Sequence, residues 1–228
     1  MKAILIFPTV FEAQGVFRLA GASARLGASA NLESNGSLFC GFVSGCGCAA
    51  SVERLKNFCA GKDFDFAVLC GFCGSCRADI GEGGLLFSSK SPAIKKAFLS
   101  CGIMAAKIAT TESVAGFAEK KRLAERGFDA VDMEAALFEP VFGAEKFASF
   151  RAVSDAFDSK IPAEFFDQAI DRSTGGSSIK PFKILKALAR DPALIARLIK
   201  FSAAASKIKK SYEESLCGLV LPALGSIR

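Results

Sequence analysis

The 228-residue chain contains no histidine, no tryptophan and a single tyrosine, Tyr212. The missing imidazole excludes Ser-His and Cys-His nucleophilic chemistry and His-ligated metal sites, and it leaves proton transfer to Asp, Glu, Lys, Cys or Tyr212. Long apolar runs are missing too. Although 51% of the residues are hydrophobic, they come in short blocks broken by Gly, Ser and charge, well under the roughly 18 uncharged residues that a membrane-spanning helix needs. A clean secretory leader is also lacking. The opening MKAILIF and the small residues Ala22-Ser23-Ala24 have something of its look, but Pro8 interrupts the apolar run and Glu12 and Arg18 fall inside it, which fits a buried first strand better. The nine cysteines are an odd number, mostly in apolar or Gly-rich surroundings. No disulfide framework is expected, and a reducing cytoplasm is the matching compartment.

What is present alternates. Apolar β-rich runs recur at Ala3 to Phe7, Leu38 to Val43, Phe64 to Leu69, Leu85 to Ser88, Met104 to Ala109 and Phe147 to Val153. Between them lie helical patterns, clearest at Glu12 to Leu26, Ala49 to Ala60, Ser91 to Ser100, Val114 to Arg126 and Glu134 to Phe142. Such alternation predicts an α/β domain whose mainly parallel or mixed sheet is covered on both faces, with chemistry at the strand ends.

The texture changes after about residue 160, so the reading divides the chain into an α/β core, 1–160, and a basic amphipathic helical extension packed on it, 161–228. Asp171 to Ser178 is turn-rich, Phe182 to Arg190 is amphipathic, and Asp191-Pro192 reads as an N-cap and first helical residue starting a helix to about Phe201. A further helix is expected over Ala203 to Leu216. Between Lys180 and Lys210 the only acid is Asp191, against Lys183, Lys186, Arg190, Arg197, Lys200, Lys207 and Lys209 among others. A solvated face explains this. So does docking of residues 180–210 on anionic lipid headgroups, which would bring the protein to the inner membrane face. Nucleic acid is not expected as a partner, because aromatics interleaved with the basic residues are nearly absent.

Two carboxylates stand at strand ends. Val131-Asp132-Met133-Glu134-Ala135-Ala136 lies where a short strand passes into a helix, and a carboxylate at Glu134 could accept hydrogen bonds from adjacent hydroxyls of a diol. It could equally be a first-turn acid stabilised by the helix dipole. Arg151-Ala152-Val153-Ser154-Asp155 repeats the arrangement, with Asp155 either functional or a helix N-cap.

Taken together, VDMEAA followed by RAVSD resembles the purine and uridine phosphorylase and nucleosidase superfamily, which includes methylthioadenosine/S-adenosylhomocysteine nucleosidases. The likeness extends over about residues 1–158. It includes Glu12 just beyond strand one, Ser44-Gly45-Cys46-Gly47 as a turn before a helix, and Cys70-Gly71-Phe72-Cys73-Gly74 as a small-residue loop along base and sugar. The resemblance implies a three-layer fold with a mixed central sheet, no cofactor, no metal and a homo-oligomer. It also implies cleavage of an adenine nucleoside, with Asp155 protonating the purine, Glu12 activating water, Met133 and Glu134 holding the ribose, and Ser154, Phe72, Cys73 and Gly74 lining the site. The tail looks most like a branch encoded with hopanoid biosynthesis and thought to act on adenosylhopane.

Departures from the family pattern matter. Ile80-Gly81-Glu82-Gly83-Gly84 replaces a usual Gly-Asp pair, Phe72 replaces a smaller residue, and no Gly-Asp-Pro-x-Arg phosphate loop occurs. Only Arg54 or Arg77 could stand in for its arginine. Water is therefore favoured over phosphate as nucleophile. Two rival readings remain: a catalytically silent nucleoside- or lipid-binding protein, and an iron-sulfur site at Cys70-x-x-Cys73-x-x-Cys76, whose continuation fails because position 80 is Ile.

Overall fold

A computed structural model describes residues 1–158, 170–171, 178–179 and 193–227, with side chains over 1–158 and 203–227. The chain opens β1 (Lys2–Phe7), α1 (Val10–Leu19), β2 (Ser29–Ser34), β3 (Ser37–Val43), α2 (Ala49–Cys59) and β4 (Phe66–Ser75). It continues with β5 (Leu85–Ser89), α3 (Pro92–Ser100), β6 (Met104–Ala105), β7 (Ile108–Thr110), α4 (Phe117–Glu125), β8 (Ala130–Asp132), α5 (Ala135–Phe142) and β9 (Phe147–Asp155). A small antiparallel pair, β10 (Ile170–Asp171) with β11 (Ser178–Ile179), precedes α6 (Ala193–Ser215). A π-turn over Leu216–Val220 then leads into the short α7 (Leu221–Gly225).

The main sheet runs β2-β3-β1-β4-β9-β5-β6, with β8 on the far end of β4 and β7 beside it. Strands β3, β1, β4 and β9 are mutually parallel, whereas β2 runs against β3 and β5 against β9, with β6 parallel to β5, so the sheet is mixed. Helices cover both of its faces in a three-layer α/β architecture. Strand β1 shows why: Ala3, Leu5 and Phe7 point into the larger core with α1, α3, α6 and α7, while Ile4 and Ile6 point into a second core with α2 and α5. A strand buried on both faces must be apolar throughout, which is how AILIF reads.

The described end of the chain belongs to the larger core. Ile208, Tyr212, Leu216, Val220, Leu221 and Leu224 are all buried there among residues of β1, β3, β4 and β9. Each such side chain is worth about 1.5–3 kcal/mol, so together they rival the ~5–15 kcal/mol net stability of a typical domain.

Several sequence expectations need correction. The first helix ends at Leu19, not Leu26, because the chain turns at Gly21, with φ 66°. Residues 29–34 form the edge strand β2, joined to β3 by a turn at Asn35-Gly36, both with positive φ. The expected helix to Phe201 and the one from Ala203 are a single helix, α6, that crosses Ser202 without a break. Cys70 to Gly74 is not a loop: β4 continues through it, paired with β9 up to a bulge between Cys73 and Gly74. The segment 180–192, with its amphipathic run and Asp191-Pro192 start, lies outside the described residues.

Candidate functional site

Because β1, β4 and β9 are parallel, their carboxyl ends open on one side of the sheet, and β8 returns antiparallel against Gly74 and Ser75. A hollow of about 260 Å³ lies there. Its walls include Glu12 from α1, Phe72, Cys73 and Gly74 from β4, Met133 and Glu134 after β8, and Ser154 and Asp155 from β9. All eight residues expected from the sequence thus face one space. The segment Thr111 to Phe117 with Lys120 of α4 closes another side.

Glu12 is fixed by a capping box. Its Oε2 accepts from Thr9 N (2.8 Å) and Thr9 Oγ1 (2.6 Å), the Thr9 hydroxyl in turn caps Glu12 N, and Oε1 accepts from Phe72 N at 3.0 Å. The carboxylate that starts α1 is therefore the one presented to the hollow. Burial pushes the Glu12 carboxyl above its ordinary range, with the Thr9 bonds and the charge of Arg151 pulling the other way. Such an upward shift suits a general base, which must hold the proton it takes.

Glu134 is the residue from which α5 departs, but its side chain makes no capping bond to that helix. Oε1 instead accepts from Gly47 N at 3.2 Å and Oε2 from Arg151 Nη2 at 3.3 Å. Burial pushes its carboxyl up to about 7, against the pull of Arg151. Gly47 belongs to the turn before α2, and any side chain there would overlap the Met133 carbonyl. The SGCG turn is thus built for close approach to the Met-Glu pair.

Two further groups beneath the hollow carried no assigned role in the sequence. Arg151 is completely buried on β9 and donates from Nη2 to Asp132 Oδ2 at 2.6 Å as well as to Glu134. Burial opposes its charge, yet Asp132, Glu134 and Glu12 more than offset that cost, and its pKa is raised. Nη1 has no hydrogen-bond partner and would lie 2.8 Å from a Cβ built on Gly71, where the same Cβ would overlap Glu12 Oε1. Glu12 and Arg151 therefore crowd one small residue. Asp132 also accepts from Thr110 Oγ1 (2.8 Å) and Ala135 N (3.2 Å), tying the start of α5 to the arginine. A charged residue inside the apolar run FASFRAV signals such a network, since a fully buried arginine must be paired.

The other side of the hollow is held by Asp155 and Lys120. Lys120 Nζ donates to Asp155 Oδ2 and to Ala156 O (2.7 Å), and the Ser154 hydroxyl reaches Cys73 O (3.2 Å) and Asp155 Oδ1 (3.1 Å). Lys120 sits in the basic run KKR, which reads as solvated, although it is three residues from the buried Leu123 and three from Phe117 of the hollow's wall.

Two aromatic residues of the walls, Phe72 and Phe117, connect to further rings. Rings run from the core outward, Phe150 to Tyr212 (5.5 Å), Tyr212 to Phe72 (5.4 Å) and Phe72 to Phe11 (6.0 Å), and Phe117 meets Phe157 at 5.2 Å. Phe11 and Phe117 remain 40% and 53% exposed. Lys209 of α6 lies over Phe11 at 4.9 Å and donates to Gln14 Oε1 at 2.8 Å.

Neither proposed stand-in for a phosphate-binding arginine lines the hollow. Arg77 is paired with Asp79 (2.5 Å) and Asp129 (2.9 Å), and Arg54 donates to Ser44 O. The iron-sulfur reading fails on geometry, because the pleat of β4 sends Cys70 and Cys73 to different cores and Cys76 to a third. Burial also pushes the Cys70 and Cys73 thiols up, away from the thiolate that a cluster needs. Among the described residues no helix is long and apolar enough to cross a membrane.

No protein-family model and no curated protein matches the sequence. Solved structures do match the fold. The Campylobacter jejuni 5′-methylthioadenosine/S-adenosyl homocysteine nucleosidase superposes with a TM-score of 0.65 at 14% identity, covering 98% of each chain. A Helicobacter pylori 5′-methylthioadenosine/S-adenosylhomocysteine nucleosidase with butyl-thio-DADMe-Immucillin-A gives 0.64 at 14% identity, covering 96% of this chain and 97% of that one. A futalosine hydrolase mutant from the same organism gives 0.57 at 16% identity, covering 95% and 100%. This chain shares its fold with these nucleosidases.

Proposed function

We propose that this protein is an enzyme that hydrolyses the N-glycosidic bond of an adenine nucleoside. The observation that carries the reading is the convergence of Glu12, Glu134 and Asp155, from distant points in the chain, on one hollow. As the bond from C1′ to the base lengthens, positive charge grows on the sugar and negative charge on the purine. Asp155 delivers a proton to N7 so that adenine leaves neutral. Glu134 accepts from the ribose hydroxyls, Met133 packs on the sugar, and Glu12 takes a proton from the attacking water, as paired carboxylates do around other glycosidic bonds. Water is favoured over phosphate by the charge of the walls. Glu12, Asp132, Glu134 and Asp155 line the hollow, and the one cation lining it among the described residues, Lys120, is already paired with Asp155.

The finer reading is an apolar 5′ substituent, with adenosylhopane as the candidate. The exposed ring of Phe117, which lines the hollow, and that of Phe11, 6.0 Å from the lining Phe72, support it, because exposed apolar surface of that kind rewards burial by a lipid and not by water. Contact with the inner membrane face through 180–210 goes with it. Lys207 and Lys210 are exposed there, while Lys209 is turned back onto the protein. The test is chromatography of the protein incubated with methylthioadenosine and with adenosylhopane, with and without phosphate. Adenine released without phosphate is expected, and Asp155→Asn should lose about 10²- to 10⁴-fold in turnover while still binding the nucleoside. Adenine release at the normal rate from Asp155→Asn would remove that residue as the acid. Release that requires phosphate would replace hydrolysis by phosphorolysis.

A further inference from the structure

The Asp155 carboxyl group is held by Lys120 and lies beside the Ser154 hydroxyl, which also bonds Cys73 O at 3.2 Å. Oδ2 receives Lys120 Nζ, and Oδ1 lies 3.1 Å from the Ser154 hydroxyl. Oδ2 accepts directly from the ammonium, so a proton that the Asp155 carboxyl passes on can be replaced from Lys120. The nearest proton is on Lys120. The Lys120 side chain is 3% exposed, its ammonium hydrogens are aimed at Asp155 and Ala156, and it lines the same hollow as the three carboxylates. Gly74 makes room for the pair, since a Cβ there would stand 3.0 Å from both Lys120 Cε and Asp155 Oδ2.

From this geometry we infer that Lys120 is the proton source for the leaving base and that Asp155 is the relay between them. The inference rests on the nucleosidase reading and deepens it. In the step, the C1′–N9 bond breaks and its electron pair goes to the purine. Asp155 passes a proton to N7 and takes one from Lys120 Nζ, which is left as a neutral amine. The water that bonds to C1′ gives its proton to Glu12. One proton is lost at Lys120 and one gained at Glu12, so the protein keeps its charge through the step, and exchange with solvent resets both groups once adenine departs.

A lysine that only tethered α4 to the end of β9 would have the same contacts, so the experiment must separate proton supply from structure. Methylthioadenosine needs its base protonated, whereas 4-nitrophenyl riboside carries a leaving group that departs as a stable anion. The full-length wild type, Lys120→Met and Lys120→Gln are compared on both. Glutamine, one bond shorter, keeps a hydrogen-bond donor on the side of Asp155 but has no proton to give up. The expected result is a loss of about 10²-fold or more on methylthioadenosine, at least tenfold greater than the loss on the nitrophenyl riboside, in both variants. Equal losses on the two substrates, or a glutamine variant as fast as wild type on methylthioadenosine, would overturn the inference. If the wild type cleaves the nitrophenyl riboside but frees no adenine, the adenine-nucleoside reading itself falls, and this inference with it.

Discussion

The two sides of the hollow hold their charges in different ways. On the side proposed to hold the sugar, the sugar side, Arg151 is buried with 0% of its side chain exposed, between Asp132 at 0% and Glu134 at 9%, all carried on strands or at their ends. On the side proposed to hold the base, the base side, Lys120 reaches in from a helix to Asp155, whose side chain is still 24% exposed. Strand register sets the first group, so it has one arrangement and no solvent to fall back on. The second depends on where α4 lies, and water can replace the lysine at the carboxylate. The hollow thus pairs a fixed platform on one side with an adjustable corner on the other.

The largest effect expected from breaking this contrast is on stability. Arg151→Met leaves Asp132 and Glu134 buried without their cation and should cost about 3–5 kcal/mol, the usual result of removing one partner of a buried pair. Lys120→Met should cost clearly less, because water reaches Asp155. Urea melts of the two variants check this. Equal losses would mean that the base side is as closed as the sugar side.

Next in size is the response to a single methyl group. A Cβ at Gly71 overlaps Oε1 of the Glu12 carboxyl, a group held by three hydrogen bonds, whereas a Cβ at Gly74 meets only the flexible Lys120 Cε and the partly exposed Asp155 at 3.0 Å. Gly71→Ala should therefore lose about 10²-fold or more in adenine release and Gly74→Ala about tenfold, on the scale of a displaced acid-base group. Steady-state rates on methylthioadenosine decide it, and a Gly74 variant worse than the Gly71 variant would reverse the assignment of the rigid side.

Legibility in the sequence follows the same division. The central strands could be read because a strand buried on both faces is continuously apolar, and the acids at their ends could be read because VDMEAA and RAVSD break that pattern. The edge strand β2 was not, since SANLES has one buried face and little hydrophobicity, although Asn35-Gly36 is a strong hairpin signal. Arg151 was visible as a charge inside an apolar strand, but its partners Asp132 and Glu134 come from another strand and only register reveals them. Lys120 was hardest. A basic run on a helix reads as a solvated face, and only the stripe shared with Phe117 and Leu123 marks one of its three cations as buried. What local pattern cannot carry is which distant group a charge will meet.

The smallest effect tests how far the sugar side is closed to solvent. Burial pushes the Glu134 carboxyl up from the ordinary 4.5 to about 7, and Glu12 is shifted in the same direction. A carboxyl whose folded value is raised binds a proton in the native state that the unfolded chain has already lost. Its contribution to stability is therefore complete below about 4.5 and disappears as the pH rises through about 7. Stability should fall across that window with a slope of at most ~1.4 kcal/mol per pH unit for each proton. Glu134→Gln keeps an oxygen for Gly47 N and leaves Arg151 paired with Asp132, so its melting temperature should vary less with pH over the same interval. A variant with the wild-type slope would mean that Glu134 is ionised throughout and that water reaches the Arg151 network. In that case the contrast between a closed sugar side and an open base side would have to be abandoned.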